Sequence, residues 1–267
     1  MSQALVRSRD VHRLWELMGE ARELRGRDAQ KLHAVRGVMS ILDVTVGSLL
    51  RTAIDDDEQR DLYAHEHVFD LGWASDRDRE LVWNAFRVHG WSADPVVRRV
   101  VESSWRAPGT AIVRRSEDVL ARRDYQEHPI HYDVFGRCHL DHTLYANVLF
   151  ADPHVRTAMG AGLGLKRAKG DRPFSDEDRN LVELFIAMSD WLWMPDPLAA
   201  EASLSRRERE TLQYLVDGAS LKEVAAHLGI SRHTVDGYVK AIHKAFGVRS
   251  RGELLARYAA KHRRPLT

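Results

Sequence analysis

A chain of 267 residues, 44% apolar and 30% charged, has the composition of a globular protein with room for one large domain or two ordinary ones. The opening MSQALVRSRDVHRLW has no apolar signal core, and no stretch reaches the roughly 18 uncharged apolar residues that a spanning helix requires, so a cytoplasmic protein is expected. The single cysteine, Cys138, excludes an intrachain disulfide and any thiolate-rich zinc site built by one chain. The net charge of +1 conceals an asymmetry: residues 201–267 hold 13 Lys or Arg against 7 Asp or Glu, and residues 1–200 hold 27 against 32. A basic module of +6 following a body of −5 is the pattern expected when one part meets nucleic acid.

In chain order, two helical patterns come first, near residues 10–25 and 28–50, the second on Leu32, Val35, Met39, Leu42, Val46 and Leu49. Ser75 and Asp94 read as N-caps, the latter with Pro95 at the first helical position. Strand signals come next. Thr143–Phe150 and Val155–Arg167, joined by Ala151-Asp152-Pro153-His154, predict a hairpin. Ser175 and Asp178 then predict a capping box, opening a helix with an apolar stripe on Leu181, Leu184, Phe185, Met188 and Leu192. Helices, strands and a closing helix predict an α+β domain with an antiparallel sheet. Met194-Pro195-Asp196-Pro197-Leu198-Ala199-Ala200 cannot continue a helix and predicts a linker, which divides the chain into domains at 1–197 and 201–267.

The last segment contains four helix starts. Three have a serine with an acidic partner three residues on, Ser205/Glu208, Ser220/Glu223 and Ser250/Glu253, and the fourth is Ser231. Gly229 between the second and third helices supplies a tight turn, and Ser231 caps the third helix, which is the wiring of a helix-turn-helix. Leu212, Leu215, Val216, Val224, Ala225, Leu228, Val235, Val239, Ile242 and Phe246 fall on inward faces.

Residues 204–259, LSRRERETLQYLVDGASLKEVAAHLGISRHTVDGYVKAIHKAFGVRSRGELLARYA, resemble without gaps the LuxR-type DNA-binding domain. The resemblance rests on Leu204-Ser205-x-x-Glu208, Gly218-x-Ser220-x-Lys222-Glu223, Ile230-Ser231-x-x-Thr234-Val235, Ile242 and Gly247-Val248-x-Ser250-Arg251. It implies an all-α tetrahelical module that binds double-stranded DNA, with the helix from Ser231 in the major groove. In that geometry Ser231 and Thr234 meet phosphate, and Lys222, Lys240 and Lys244 supply cations. Arg232, His233, Asp236 and Gly237 become the base readers. Asp236 and Tyr238 depart from the family pattern; the aspartate repels phosphate yet can accept from cytosine N4. Gly237 weakens its helix by up to about 1 kcal/mol, a cost acceptable where backbone approaches DNA closely. The last helix is implied as a dimer surface through Leu254, Leu255 and Tyr258, and the helices at 10–50, with Leu14, Leu17, Leu24, Val35 and Leu42, as a second contact of a homodimer.

Upstream, the run from Asp94-Pro95 through Arg115-Ser116-Glu117-Asp118, Tyr125, Tyr132-Asp133-Val134-Phe135 and Arg172-Pro173-Phe174-Ser175 resembles the GAF-like sensor domains that precede such modules, which implies a GAF/PAS-like domain controlled by a small molecule or a partner. A phosphoacceptor receiver fails, because helices come first and Asp55-Asp56-Asp57 lacks later partners. An acyl-homoserine-lactone sensor accounts for Asp94-Pro95-Val96-Val97 with Trp105, but Leu81 and Ala85 stand where its aromatic pair belongs. The cluster His128, His131, His139, His142 and His154 beside Cys138 matches no standard metal spacing, so no metal, haem or other cofactor is expected. Trp73, Trp83, Trp91 and Trp105 read as core. Gly160-Ala161-Gly162-Leu163-Gly164 lies within a strand pattern, not between strand and helix, and no enzyme is expected. The rival reading is a protein-interaction adaptor with a degenerate DNA-binding module, which Asp236 favours and the +6 balance opposes.

Overall fold

In the computed structural model, which describes residues 6–55, 64–151, 157–193, 201, 203–248 and 250–262, the chain opens with α1 (Ser8–Glu23) and α2 (Arg27–Leu42), joined by a turn at Gly26. Each helix buries one stripe, Leu14, Leu17, Met18 and Ala21 on α1 and Ala34, Val35, Val38, Met39 and Leu42 on α2. The helical pattern predicted to run to residue 50 stops eight residues earlier. Asp43 adopts the left-handed conformation at φ 57°, and β1 (Val46–Asp55) comes next. Leu49 and Leu50 are both buried, in different cores, because successive residues of a strand point to opposite faces. A strand covered on both sides therefore imitates a helix in sequence.

After β2 (Ala64–Leu71) come α3 (Asp76–His89), α4 (Pro95–Arg106), β3 (Ile112–Arg115) and α5 (Arg122–Glu127). Ser75 caps α3 by accepting from the Asp78 N–H, and Asp94 caps α4 by accepting from Val96 and Val97, with Pro95 at the first turn. A π-helical turn at Ile130–Phe135 leads into the long hairpin of β4 (Leu140–Ala151) and β5 (Thr157–Ala168). The hairpin pairs as predicted, Tyr145 opposite Gly164 and Asn147 opposite Gly162; its predicted turn, with His154, lies outside the described residues. The strands form one antiparallel sheet of order β2-β1-β5-β4-β3. Helices α6 (Asp176–Met188) and α7 (Asp190–Trp193) complete the unit, α6 entered through the predicted Ser175/Asp178 capping box.

The sheet has a core on each face. Leu144, Ala146, Val148, Leu163 and Leu165 pack with α1, α2 and α6. Leu50, Tyr145 and Leu149 pack with Val96, Val97, Val100 and Val101 of α4 and with Tyr125 of α5. The chain divides into two units, Met1–Trp193 and Met194–Thr267; the predicted linker, residues 194–200, lies outside the described residues. The second unit holds α8 (Arg206–Val216), α9 (Leu221–Leu228), α10 (Arg232–Phe246) and α11 (Arg251–His262). No helix among the described residues is long and apolar enough to cross a membrane.

One buried cation links three parts of the first unit. The Arg167 side chain on β5 is 1% exposed. Its guanidinium donates to the carbonyls of Leu42 and Asp43 at the end of α2, to those of Arg172 and Pro173, and to Asp178 Oδ2 on α6. It also lies 4.2 Å from the Phe174 ring centroid. Burial pushes the Asp178 carboxyl up, but hydrogen bonds from Arg172, the Ser175 N–H and Arg167 outweigh it and hold the group at about 2. A carboxylate held below its ordinary value of 3.8 stabilises the fold at higher pH and loses that contribution as pH falls from 3.8 towards 2. The loss should be about 2 kcal/mol. Urea unfolding at pH 5 and pH 2 should show this drop in the wild type and little of it in Asp178→Asn; equal slopes would disprove the assignment.

Candidate functional site

The second unit presents a charged face on α10. Its inward side is used completely: Val235, Ile242 and Phe246 are buried with Leu212, Leu215, Val224 and Leu254, and Val239 packs against them. The predicted inward residues Val216, Ala225 and Leu228 join the same core. The opposite side of α10 carries Arg232, His233, Gly237, Lys240 and Lys244, all exposed, with Thr234, Asp236 and Tyr238 half-buried beside them. Arg232, Asp236, Lys240 and Lys244 recur every four residues and so form one row along the helix.

Cap chemistry fixes how this helix begins. Gly229 takes the left-handed conformation at φ 65° and ends α9, as the turn requires. Ser231 Oγ accepts from the Thr234 N–H at 3.1 Å and lies 2.8 Å from Thr234 Oγ1. With the Thr234 amide satisfied, the first N–H groups of α10 and the positive end of its dipole face outward. Ser220 and Glu223 form a complete capping box at the start of α9, next to exposed Lys222. A Cβ at Gly237 would meet nothing within 4 Å, so no neighbour in the described residues requires a glycine there, although glycine weakens a helix interior.

The residues expected at dimer surfaces divide differently. Leu254 is 0% exposed inside its own unit's core, and Tyr258 packs against that core. Leu255 stays half-exposed. In the first unit Leu14, Leu17, Val35 and Leu42 are all buried in their own core, and only Leu24, 37% exposed, reaches the surface. Intrachain packing on the sheet claims these side chains, because α1 and α2 turn their apolar stripes to it.

Between the sheet and α4, α5 and the π-helical turn lies a polar interior that the sequence does not announce. Tyr125 OH and Lys166 Nζ both donate to Thr143 Oγ1, each at 2.9 Å. Lys166 Nζ also sits 3.4 Å from the Phe135 ring centroid. Asp94 is 1% exposed; one carboxylate oxygen caps α4, and Oδ2 has no hydrogen-bond partner. Burial drives the Tyr125 phenol well above its ordinary range, with Asp94 adding to the effect. Burial also pulls the Lys166 ammonium down to about 8, against the opposing pull of Asp94 and Cys138, and pushes the Cys138 thiol up to about 11. The only signal in the sequence is a pair of adjacent cations, Lys166 and Arg167, inside an otherwise apolar strand.

Of the clustered histidines, His131 and His142 flank one carboxylate, Asp141, at 3.2 Å and 3.8 Å. His142 Nδ1 pairs with Glu117 at 3.2 Å. His131 Nε2 lies 3.2 Å from Asp141 Oδ1, though off the hydrogen-bond axis. His128 accepts from the Ile130 N–H, and His139 is exposed. Among the described residues no group of three or more such side chains could hold a metal ion. Trp83 and Trp91 pack at 5.6 Å against two cores, whereas Trp105, expected in the core, is 38% exposed.

Comparison with known proteins bears on the second unit. Residues 202–259 match the family of bacterial regulatory proteins described as the luxR family. The chain is 39% identical over 82 residues to the HTH-type quorum-sensing regulator RhlR of Pseudomonas aeruginosa, covering 31% of this chain and 34% of RhlR. It is 44% identical over 54 residues to the transcriptional regulatory protein TdiR of Thauera aromatica, covering 20% and 24% of the two. It thus spans about a third and a quarter of these relatives. A crystal structure of Escherichia coli SdiA aligns over 94% of this chain and 97% of its own, at 13% identity and a TM-score of 0.41, a likeness too slight to bear on the first unit. The chain carries at its C-terminus a helix-turn-helix domain of the LuxR family of bacterial regulatory proteins.

Proposed function

We propose that the protein is a cytoplasmic, homodimeric transcriptional regulator, not a catalyst, whose first unit is a GAF/PAS-like sensor and whose second unit binds promoter DNA. The observation that supports DNA binding most directly is the outward row on α10, since cations at this spacing on a capped helix suit a major groove flanked by phosphates. In this reading Lys222, Lys240 and Lys244, with Ser231 and Thr234, hold the backbone. Arg232, His233, Asp236, Gly237 and Tyr238 face base edges. The sensor reading is supported by a sheet covered on both faces and by the incompletely satisfied polar groups inside it. Dimerisation through α11 rests on Leu255, because Leu254 is committed to its own core.

Lys222→Ala and Lys240→Ala should weaken binding to specific and random duplexes alike, and each should lower the salt slope by roughly one. Fluorescence titration at several salt concentrations reads this directly. A changed base preference with an unchanged slope would reverse the sorting of contacts.

Gly237→Ala should stabilise the second unit by about 0.5–1 kcal/mol, because the added methyl enters open space in a helix interior. It should nevertheless reduce DNA affinity, since the methyl stands where the groove surface approaches. A variant that is more stable and binds as well as wild type would remove Gly237 from the interface.

The protein should occupy an inverted repeat with half-sites about 10 bp apart. Leu255→Asp should shift light scattering towards monomer and abolish protection of the full palindrome. A protein that is monomeric at every concentration yet protects both half-sites would refute the dimer.

A further inference from the structure

The outward row of α10 carries one acid among its cations. Arg232, Asp236, Lys240 and Lys244 follow one another at four-residue steps, so about 6 Å along the helix axis separates each from the next. That spacing permits ion pairs, and α8 makes one, from Arg206 to Glu210 at 3.0 Å. On α10 none forms: among the described residues the side chains of Arg232, Asp236, Lys240 and Lys244 have no hydrogen bond and no ion pair. The carboxylate is therefore open to a partner from outside. Beside it, Gly237 is exposed, its φ is not positive, and a Cβ there would meet nothing within 4 Å. Neither packing nor backbone conformation within the unit calls for a glycine at this position, which nonetheless weakens the helix.

We propose that Asp236 and Gly237 form a single specificity determinant, which requires a cytosine in the DNA site and discriminates against the other three bases. The proposal rests on the DNA-binding reading of α10 and names the base that this face selects. Charge excludes the backbone, since phosphate repels a carboxylate, so its stabilising partners in the major groove are base donors. Two exist, cytosine N4 and adenine N6. Adenine presents its N7 acceptor next to that donor, a pattern that suits the mixed donor and acceptor of an amide and sets a carboxylate oxygen against a lone pair. Guanine offers N7 and O6, and thymine O4 and a methyl group, none of which donates to a carboxylate. Cytosine alone gives a donor with no acceptor beside it. Reach accounts for the glycine. Aspartate has a single methylene and touches a base edge only if the helix backbone comes close, and the missing Cβ at Gly237 leaves that approach open. Arg232 and Lys240, one turn away on either side, offset the repulsion between Asp236 and the flanking phosphates.

The test uses the full chain. Selection from a random-duplex library gives the wild-type site, and fluorescence titration with each base pair replaced in turn gives the cost at every position. One C·G pair should be indispensable, with about a tenfold loss for each of the other three pairs there. N4-methylcytosine at that position keeps the base pair but replaces the outward N–H, and it should cost a similar factor. Asp236→Ala should lose the preference at that position alone and bind random duplex at least as tightly as the wild type, because an acid has left the side that faces phosphate. Asp236→Asn should move the preference there to adenine. Gly237→Ala should also lose the cytosine preference, and adding Asp236→Glu to it should restore that preference, because one more methylene recovers the reach. A purely structural role for either residue would change affinity without changing which base is preferred. A wild-type site with no required cytosine, equal binding of the N4-methylated site, or unaltered base preference in Asp236→Ala or Gly237→Ala would overturn the proposal and leave DNA binding intact. A wild-type protein that distinguishes no sequence from random duplex would overturn both.

Discussion

The first unit depends on the placement of one guanidinium. Arg167 has five N–H donors in a fixed planar fork, and its partners come from the end of α2, the segment before α6 and the first turn of α6 itself. Lysine could not reach so many acceptors in fixed directions. Through Arg167, the last carbonyls of α2, which no intrahelical donor can satisfy, and the Asp178 carboxylate, which Arg172 also grips, share one buried electrostatic knot. Removing the cation would strand these acceptors in an apolar core, whose penalty exceeds the modest net worth of the bonds themselves. The helical layer of α1, α2 and α6 is thereby tied to β5 by a polar clamp as well as by apolar packing.

The adjacent residue on the same strand has the opposite surroundings. Arg167 points into the α1, α2 and α6 layer, where acceptors surround it, and Lys166 points to the other face, where they do not. Neighbouring cations thus come to serve cohesion on one face and to stand uncompensated on the other. The alternation of a strand, not any local motif, produces this division. The second unit divides its residues by helical periodicity instead: each third or fourth position of α10 goes inward to Val235, Ile242 and Phe246, and the remainder is free to face a partner.

Much of this is legible in the sequence because helix ends are governed by short-range chemistry. Ser75, Asp94, Ser175, Ser205, Ser220 and Ser231 are recognisable as caps from their own few neighbours, and each accepts the hydrogen bond that a cap makes. The central hairpin is legible for the same reason. What sequence does not show lies in long-range packing. β1 imitates a helix because burial on both faces erases its alternation. The polar interior stays hidden because Tyr125, Thr143 and Lys166 meet only once the sheet is assembled. Leu254 looks like surplus for a dimer until Leu212 and Phe246 enclose it. Of the proposed interface on α10, the identities and their spacing are in the sequence; the open space around Gly237 is not.

The glycines of β5 also bear on how faithfully the hairpin can fold. Gly160, Gly162 and Gly164 lie opposite Leu149, Asn147 and Tyr145, and the intervening Leu163 and Leu165 occupy the other core. A slip of one residue would invert this arrangement. Leu163 would be driven towards the Tyr145 ring, glycines would leave voids under α1 and α2, and Arg167 would lose its carbonyl acceptors at once. Volume, cavity and charge all reject the same error. The strand with the most glycines is thus a proofreading element, in which absence of bulk on one face makes a slip by one residue immediately unstable.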